Sequence, residues 1–456
     1  MSDQHPHKPA HLTPDPLPEI SPASSDDKQG GILRALSLDV SPLRVSRDYR
    51  LLFISQTISL FGSMMSYVVL PWQMYQLTKS SLAVGLLGAA EFVPVITMAF
   101  IGGALADYVD RRRMVLISEA LMAVGSFSLV VNSLLPSPRV WLLFLCATAF
   151  AGLSGLKRPS LEAITPKLLP AELMPASSAL RSVSGTIGGI LGPALGGIFA
   201  TAIGPALAYT LDLATFGISL VALWMMRSAP PPLGADRPSL RSIADGLLYA
   251  WSRKELMGTY LIDINAMFFG MPMALFPAIA AKFGNASVGF LYAAPAVGAL
   301  LVSLASGWTA RVHLHGLAIT IAAALWGVAI VGFGFATHLW LALLCLLLAG
   351  AADMVSGLFR MTIWNQTIPD HLRGRLAGIE MISYMTGPML GNVEAGFVAS
   401  MFSVRTSIVS GGILCVAGTG LLALALPAFL RYDGREGLAR KQREEAARMA
   451  AVRSGD

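Results

Sequence analysis

Charged residues are scarce in this chain. Asp, Glu, Lys and Arg together make up 13% of its 456 residues, whereas 54% are hydrophobic. A soluble domain of this length needs a larger charged share to cover its surface, so the composition indicates a protein with many membrane-spanning segments. The net charge is +6, but no basic stripe is interleaved with aromatic residues, and we therefore expect no nucleic-acid partner.

Cysteine is also rare, with three residues in the chain. All three lie inside apolar runs and none belongs to a C-x-x-C pair, so neither a disulfide framework nor a zinc site is supported. No loop carries a Ser-His-Asp set or a nucleotide-binding motif, which makes a membrane-embedded enzyme or sensor a weak alternative. The sequence predicts no metal and no cofactor. The cysteines, expected to pack between helices or face lipid, are Cys146, Cys345 and Cys415.

The apolar residues are gathered into twelve runs, each close to the roughly 20 residues that cross about 30 Å of hydrocarbon as a helix. They predict an all-α membrane protein with twelve transmembrane helices in two pseudo-symmetric six-helix bundles. The two halves echo each other weakly, as in Pro94 with Pro295 and Arg158 with Arg360. The predicted spans are 51–77, 82–106, 114–135, 140–160, 178–201, 205–226, 256–281, 288–310, 316–337, 339–359, 377–401 and 406–430.

Lysine and arginine are distributed unevenly between alternate loops. With the amino terminus inside, nearly all basic residues fall on the inner side, as the positive-inside rule requires. We therefore expect a multi-pass protein of the cytoplasmic (inner) cell membrane with both termini cytosolic. The basic residues of the outer loops are Lys79, Arg139, Lys282 and Arg405.

Two polar tails and one linker divide the chain. Residues 1–48 are predicted to be a disordered cytosolic tail, and residues 432–456 a charged, solvated cytosolic tail. The six-helix halves occupy 49–227 and 255–431. Between them, residues 228–254 begin with a proline-rich run and continue with apolar residues at helical spacing, which predicts a cytosolic linker with an amphipathic helix on the membrane surface.

One short loop between the second and third predicted helices carries both charge signs. It reads G-A-L-A-D-Y-V-D-R-R-R from Gly103 to Arg113. This spacing resembles the loop signature of the major facilitator superfamily, matched at Gly103, Asp107, Arg111 and Arg112, with departures at two intervening positions. The resemblance implies an inner gate, in which the carboxylate and the guanidinium groups lock two halves of a transporter together.

The fifth predicted helix contains the run G-T-I-G-G-I-L-G-P-A-L-G-G, whose small residues recur along one helix face. Such a face allows another helix to approach closely. The run is similar to the motif that the superfamily associates with drug and proton antiporters, and ordinary small-residue packing is the alternative. The matched residues are Gly188, Gly192, Pro193, Gly196 and Gly197.

A polar passage after the tenth predicted helix resembles a counterpart of this gate. Its basic residues are Arg360, Arg373 and Arg375. Together with the fifth-helix run, the passage is similar to the enterobactin-exporter and macrolide-efflux branch of the superfamily, and the resemblance covers about residues 44–430. It implies transport of a siderophore or drug-like compound out of the cell.

Carboxylates inside membrane helices are costly and are candidates for function by default. Asp353, then Asp263, lie in helices that the resemblance places around a central cavity, and Glu91 lies near the middle of the second predicted helix. These three are the candidates for proton or substrate handling, and a hydrogen bond to a neighbouring helix is the alternative for each. Asp212 and Glu394 rank lower because they lie nearer the outer surface.

The remaining carboxylates, Glu119 and Glu380, lie toward the inner helix ends, where we expect the inner arginines as their partners. No basic residue occupies the middle of the fourth predicted helix. The cavity is therefore predicted to be apolar, aromatic and mildly acidic, which suits neutral or cationic amphiphiles.

These features predict a secondary active transporter, namely a proton-coupled exporter of a siderophore or drug-like amphiphile by alternating access. Its partners are predicted to be a small-molecule substrate, the coupling proton and the lipid bilayer, and a monomer is expected. An importer with the same fold is the alternative.

Overall fold

Long helices form nearly all of the chain that the computed structural model describes. It describes residues 38–105, 108–227, 249, 251–368, 373–435, 437–443 and 446, with backbone alone at 104 and 373–384. Within these ranges there is no β-strand, and the one isolated bridge joins Leu314 to Asp433. The fold class is therefore all-α, as predicted.

The described part of the first half contains seven α-helices, of which the first is a short helix of five residues. They are α1 (Ser41–Val45), α2 (Arg47–Thr78), α3 (Ser81–Leu105), α4 (Arg111–Leu134), α5 (Val140–Leu168), α6 (Met174–Ala202) and α7 (Pro205–Trp224).

The second half begins with a broken span, because a short 3-10 turn, Met273–Leu275, separates α8 from α9. Pro272 directly before this turn lacks the amide hydrogen that a continuous helix needs. The helices are α8 (Lys254–Phe269), α9 (Phe276–Phe283), α10 (Ser287–Leu304), α11 (His315–Phe335), α12 (Leu339–Thr367), α13 (Arg373–Met401), α14 (Val404–Ala425) and α15 (Pro427–Leu430).

Eleven helical segments of the described chain are long and apolar enough to cross a membrane, so the protein is a multi-pass membrane protein. They coincide with eleven of the twelve predicted spans. The other predicted span, 377–401, falls within α13, whose first part is described by backbone alone.

Several helices run beyond their apolar segments. The fourth predicted span ends at 160, whereas α5 continues to Leu168, and the tenth ends at 359, whereas α12 continues to Thr367. The prediction was short because hydropathy marks the thickness of the bilayer and does not mark where helical hydrogen bonding stops. At 1.5 Å per residue, a helix of 29 residues reaches roughly 44 Å, well beyond the hydrocarbon core.

The described residues of both predicted tails contact the helices. Residues 41–48, predicted to be disordered, include α1 and the first two residues of α2, and Val40 and Leu43 pack against the cluster of Tyr49, Leu169 and Leu180. In the tail predicted to be solvated, Arg440 pairs with Glu255. Apolar and paired side chains in each tail therefore hold it against the helix ends. The predicted linker helix lies almost entirely outside the described residues.

The most extensive helix contacts fall into two groups. In the first group, α2 packs on α6 and α7, α3 on α5, and α4 on α5 and α7. In the second, α12 packs on α10 and α11, and α14 on α8 and α11, with α13 on α8. The most extensive contacts between the groups in the described chain are those of α3 with α13 and of α6 with α10, and α2 makes smaller contacts with α9 and α10. All three cysteines are buried within this packing.

Candidate functional site

A cavity of about 400 Å³ lies between the two helix groups. Its walls come from α2, α3, α4, α5 and α7 of the first group and from α10, α13 and the 3-10 turn before α9 of the second, and most of the lining is apolar. We call it the central cavity. An apolar chamber with a few convergent polar groups is the usual form of a small-molecule site. The polar lining residues are Ser63, Ser66, Tyr67, Glu91, Ser154, Asp212, Tyr292 and Asn392.

A second cavity, of about 380 Å³, lies beside the amino-terminal half of α2, and we call it the amino-end cavity. Its lining includes the exposed Arg181, so this cavity reaches the protein surface. Because the two cavities share four lining residues, they adjoin and together lead from the surface to the space between the helix groups. The shared residues are Ser63, Met64, Met122 and Ser154.

The other end of the central cavity is closed by contacts between the groups. The Tyr67 hydroxyl donates to Met273 Sδ at 3.3 Å, and its ring meets Tyr292 edge to face, with the ring centroids 5.8 Å apart. Tyr292 in turn donates to the Met273 carbonyl at 3.0 Å. The Ala274 amide donates to Asn392 Oδ1 at 2.9 Å, which ties the break between α8 and α9 to α13.

Glycines bring the two groups closest at this same end. Gly85 of α3 faces the backbone of Gly396 in α13, and Gly197 of α6 faces the backbone of Gly289 in α10. A Cβ atom at any of these positions would meet main chain. All four residues lie near the helix ends on the same side as Thr78, the last residue of α2, so the joined cavities open at the amino end of α2 and are closed at its carboxyl end.

The fifth-helix motif lies in α6, and its five matched residues are buried. Three of its glycines face α2, where an added Cβ would meet the neighbouring helix, and the other two residues face α10. The close helix approach expected along this face is therefore confirmed, while the antiporter role stays a prediction. The contacts pair Gly188 with Leu60, Gly192 with Met64, Gly196 with Met65, and Pro193 and Gly197 with Gly289.

Among the described side chains, two carboxylates line the central cavity. One is Glu91, as predicted from its place in the second span. The other is Asp212, which the sequence ranked below the three candidates; its side chain is buried in the protein, at 1% exposed. Its Oδ2 atom accepts hydrogen bonds from the Ser66 hydroxyl at 2.6 Å and from the Ser126 hydroxyl at 2.8 Å.

Glu119 is fully buried between α2, α4, α5 and α7. It pairs with Lys157 at 2.6 Å and accepts hydrogen bonds from Ser59 at 2.9 Å and Ser219 at 3.0 Å. The prediction of an arginine partner was therefore wrong. Lys157 takes that place because it lies on the part of α5 that packs against α4, where its side chain meets Glu119.

The same lysine corrects the expectation of a cavity without positive charge. Lys157 and Arg181 both line the amino-end cavity. Lys157 is neutralised locally by Glu119, whereas the Arg181 side chain is exposed. The cavity entrance is therefore more basic than the sequence predicted, and the central cavity beyond it carries the two carboxylates.

Arg360 contacts the other two candidate carboxylates, Asp263 and Asp353. It pairs with Asp263 of α8, with both side chains buried, and its Nη2 atom lies 3.5 Å from Asp353 Oδ1. For Asp263, the alternative of a bond to a neighbouring helix is the one seen. These contacts of Arg360 tie α8 to α12 within the second helix group, whereas the sequence grouped this residue with the inner gate.

The charged loop makes its described contacts within the first helix group. Arg111 Nη1 donates to the Ala163 carbonyl at 3.2 Å, and Arg112 donates to the carbonyls of Leu223 and Trp224 at 2.7 and 2.5 Å. The Leu223 and Trp224 carbonyls lie at the carboxyl end of α7, and the Ala163 carbonyl lies near the carboxyl end of α5. The helix dipole favours cations at carboxyl ends. Asp107 lies outside the described residues, as do the side chains of Arg373 and Arg375, and open space surrounds Gly103.

The inner gate thus stays a prediction that mutation can test. Asp107→Asn is expected to lower transport while membrane abundance holds, because it removes the carboxylate that the motif provides for pairing with an arginine. Transport assays in vesicles, with immunoblotting for abundance, measure both. Asp110→Asn is the matched control, since Asp110 caps α4 through the Arg113 amide and asparagine caps equally well. Unchanged transport by Asp107→Asn would contradict the gate assignment.

Sequence analysis missed the serines that hold the buried carboxylates. Three helices of the first group carry polar residues seven positions apart, which is two helical turns on one face. This repeat inside apolar runs is the signal that would have found them. The pairs are Ser59 with Ser66 on α2, Glu119 with Ser126 on α4, and Asp212 with Ser219 on α7.

Two groups of membrane helices around a cavity that opens at one end define the class of this protein as a transporter of the major facilitator superfamily. The chain belongs to the family described as transmembrane secretion effector, whose profile matches residues 38–449. The expectation of a transporter and not an enzyme is thereby confirmed.

Named relatives agree with this class. The chain is 28% identical over 402 residues to proteins named enterobactin exporter EntS from Citrobacter koseri and from Escherichia coli O81, which covers 87% of this chain and 95% of each relative. Among solved structures, the nucleoside transporter NupG (D323A mutant) superposes with a TM-score of 0.67 at 14% identity, covering 84% of this chain and 99% of that one. A bacterial homologue of the lysosomal transporter Spinster, described as inward-facing and unoccupied, gives a TM-score of 0.64 at 16% identity, covering 87% and 98%.

Proposed function

We propose that this protein is a proton-coupled exporter of the cytoplasmic membrane that expels a siderophore or drug-like amphiphile by alternating access. The observation that carries the proposal is the pair of joined cavities between the two helix groups, which reach the surface at the amino end of α2 and are closed at its carboxyl end. With α13 as the twelfth span, the chain forms two six-helix bundles with both termini in the cytosol.

Alternating access requires the groups to part where they now touch. The contacts that close the cavity between the groups suit such a motion, because they are glycine approaches, the hydrogen bond from Tyr67 to Met273 and the ring contact of Tyr67 with Tyr292. Contacts of this kind form and break with little reorganisation of the helices on either side. In the reverse movement, the bundles close at the amino end of α2, and we propose that the charged loop after α3 then bonds across to the second bundle.

The substrate class follows from the lining and from the relatives. The central cavity is mainly apolar, with aromatic and methionine side chains, and its entrance carries the exposed Arg181. Such a path accepts a compound with an extended apolar or aromatic surface and hydrogen-bonding groups. The relatives named enterobactin exporters transport a siderophore, which makes enterobactin the first compound to test.

Comparison of a deletion strain with its parent tests the proposal directly. We expect the exported compound to accumulate in the cytosol of the deletion strain and to fall in the medium, as measured by mass spectrometry of both. A vesicle assay with purified protein, enterobactin and an imposed pH gradient tests coupling. An importer would give the opposite change, with the compound depleted from the cytosol of the deletion strain.

A further inference from the structure

A buried polar seam runs along the contact of α2, α4 and α7 in the first helix group. At one level, Ser66 and Ser126 donate to Asp212, and two helical turns away Ser59 and Ser219 donate to Glu119. The side chains are all buried within an apolar bundle. Such a seam costs free energy in a membrane protein and is a mark of function when it lies on a transport path.

Asp212 differs from the other buried carboxylates by its surroundings. Asp263 is paired with Arg360 and Glu119 with Lys157, whereas the partners of Asp212 are two neutral hydroxyls. Both hydroxyls bond Oδ2. In the part of the chain that is described, Oδ1 has no hydrogen-bond partner, although it is buried and its residue lines the central cavity.

We propose that Asp212 carries the coupling proton, taking it on Oδ1 and releasing it to the water of the joined cavities. This inference rests on the proposed function of proton-coupled transport. The two serine bonds occupy Oδ2 and fix the carboxyl plane, so Oδ1 is the atom left to accept a proton. When the bundles open at the carboxyl end of α2, water on that side donates the proton, and in the present conformation water in the amino-end cavity receives it.

Asp212 shares its seam with the Glu119–Lys157 ion pair, which lies two helical turns away. Glu91 faces the same cavity and is a second acidic group that the substrate meets. Among the described residues, the titratable groups that line the two cavities or lie beside the seam are Tyr49 and Tyr67 of α2, Glu91 of α3, Glu119 of α4, Cys146 and Lys157 of α5, Arg181 of α6, Tyr209 of α7 itself and Tyr292 of α10.

Asp353, the first choice from the sequence, serves as the matched control. It is also an aspartate in a membrane helix, but its side chain is 44% exposed and lies next to Arg360, away from the central cavity. Asp353→Asn and Asp212→Asn remove the same charge with the same change of shape. Asparagine at 212 keeps an oxygen that accepts from both serines, so the fold is expected to hold.

The test uses purified full-length protein in lipid vesicles with enterobactin as the probe. Exchange without a gradient and accumulation driven by a pH gradient are measured on each variant. We expect Asp212→Asn to keep exchange and lose gradient-driven accumulation, and Asp353→Asn to keep both. The assignment would be overturned if Asp212→Asn showed full gradient-driven accumulation. It would also be overturned if Asp353→Asn lost gradient-driven accumulation while keeping exchange. If the wild-type protein moves no enterobactin in either assay, the proposed substrate fails, and the next experiment decides Asp212 independently.

That experiment needs no substrate and no mutant. A hydrophobic carbodiimide modifies protonated carboxyl groups in apolar surroundings, and peptide mass spectrometry locates the modified residue in wild-type protein. We expect Asp212 to be labelled at low pH and progressively less as the pH rises. Absence of label on Asp212 at every pH, with label on Glu91 or Asp353 instead, would reject Asp212 as the proton carrier.

Discussion

Arg360→Gln is expected to destabilise the folded protein by about 3–5 kcal/mol, since it removes the partner of a buried carboxylate. Asp263 and Arg360 are both buried, and their ion pair joins α8 to α12. Without the guanidinium, Asp263 is left charged in an apolar interior or must take up a proton, and either outcome costs free energy. Thermal unfolding of the purified variant in detergent measures the loss.

Two further variants separate the ion pair from a general effect of mutation. Asp263→Asn combined with Arg360→Gln should recover much of the stability, because two neutral amides leave no uncompensated charge. Asp353→Asn should change stability little, since its side chain is 44% exposed and the buried pair remains intact. An Arg360→Gln protein as stable as the wild type would show that this pair does not hold the second helix group together.

Gly196→Leu is expected to abolish transport, with Gly192→Leu close behind. A Cβ at Gly196 already meets the backbone of Met65 in α2, and one at Gly192 meets the Met64 side chain, so a leucine has no room without separating the helices. Overpacking typically costs ~1–3 kcal/mol in a well-packed core. In a transporter it also obstructs the movement of α6 against α2 and α10. Transport in vesicles, normalised to folded protein, is the measurement.

Gly185→Leu provides the matched control on the same helix. Gly185 also lies in α6, but an added Cβ there meets nothing within 4 Å. This variant should fold and transport close to normal, because the added leucine at 185 enters open space. The substitution and the helix are the same as in Gly196→Leu, and only the room for the side chain differs. Equal behaviour of Gly185→Leu and Gly196→Leu would show that loss of glycine itself, and not the close approach to α2, explains the effect.

The position of each ionisable side chain was harder to predict than the helices. Hydropathy located the spans because a bilayer imposes one length and one polarity on every crossing segment. Hydropathy did not identify the partner of Lys157, which lies within the fourth predicted span, 140–160, and pairs with Glu119 of α4. A hydropathy profile gives the depth of a residue along its own helix and contains no information on which neighbouring helix its side chain meets.

The partners of Asp212 could not be predicted from the sequence either. Its sequence position suggested a residue near the membrane surface, and seven-residue spacing to Ser219 was present but was one of many such spacings in apolar helices. Only the crossing of α2, α4 and α7 brings Ser66 and Ser126 to one oxygen of this carboxyl. Sequence separations of 146 and 86 residues leave no local pattern that would identify these bonds.

The sequence by itself determined the all-helical membrane architecture, eleven of the crossing segments and the small-residue face of α6, since each depends on composition or on a short period along one helix. Tertiary structure alone decided which carboxylates are paired and which face the cavity. Those outcomes depend on how helices distant in sequence meet: Arg360 draws in Asp263 and Asp353, while Asp212 is left beside the cavity with two serines. In an apolar bundle the partner of a charge determines its role, and that partner is chosen by packing.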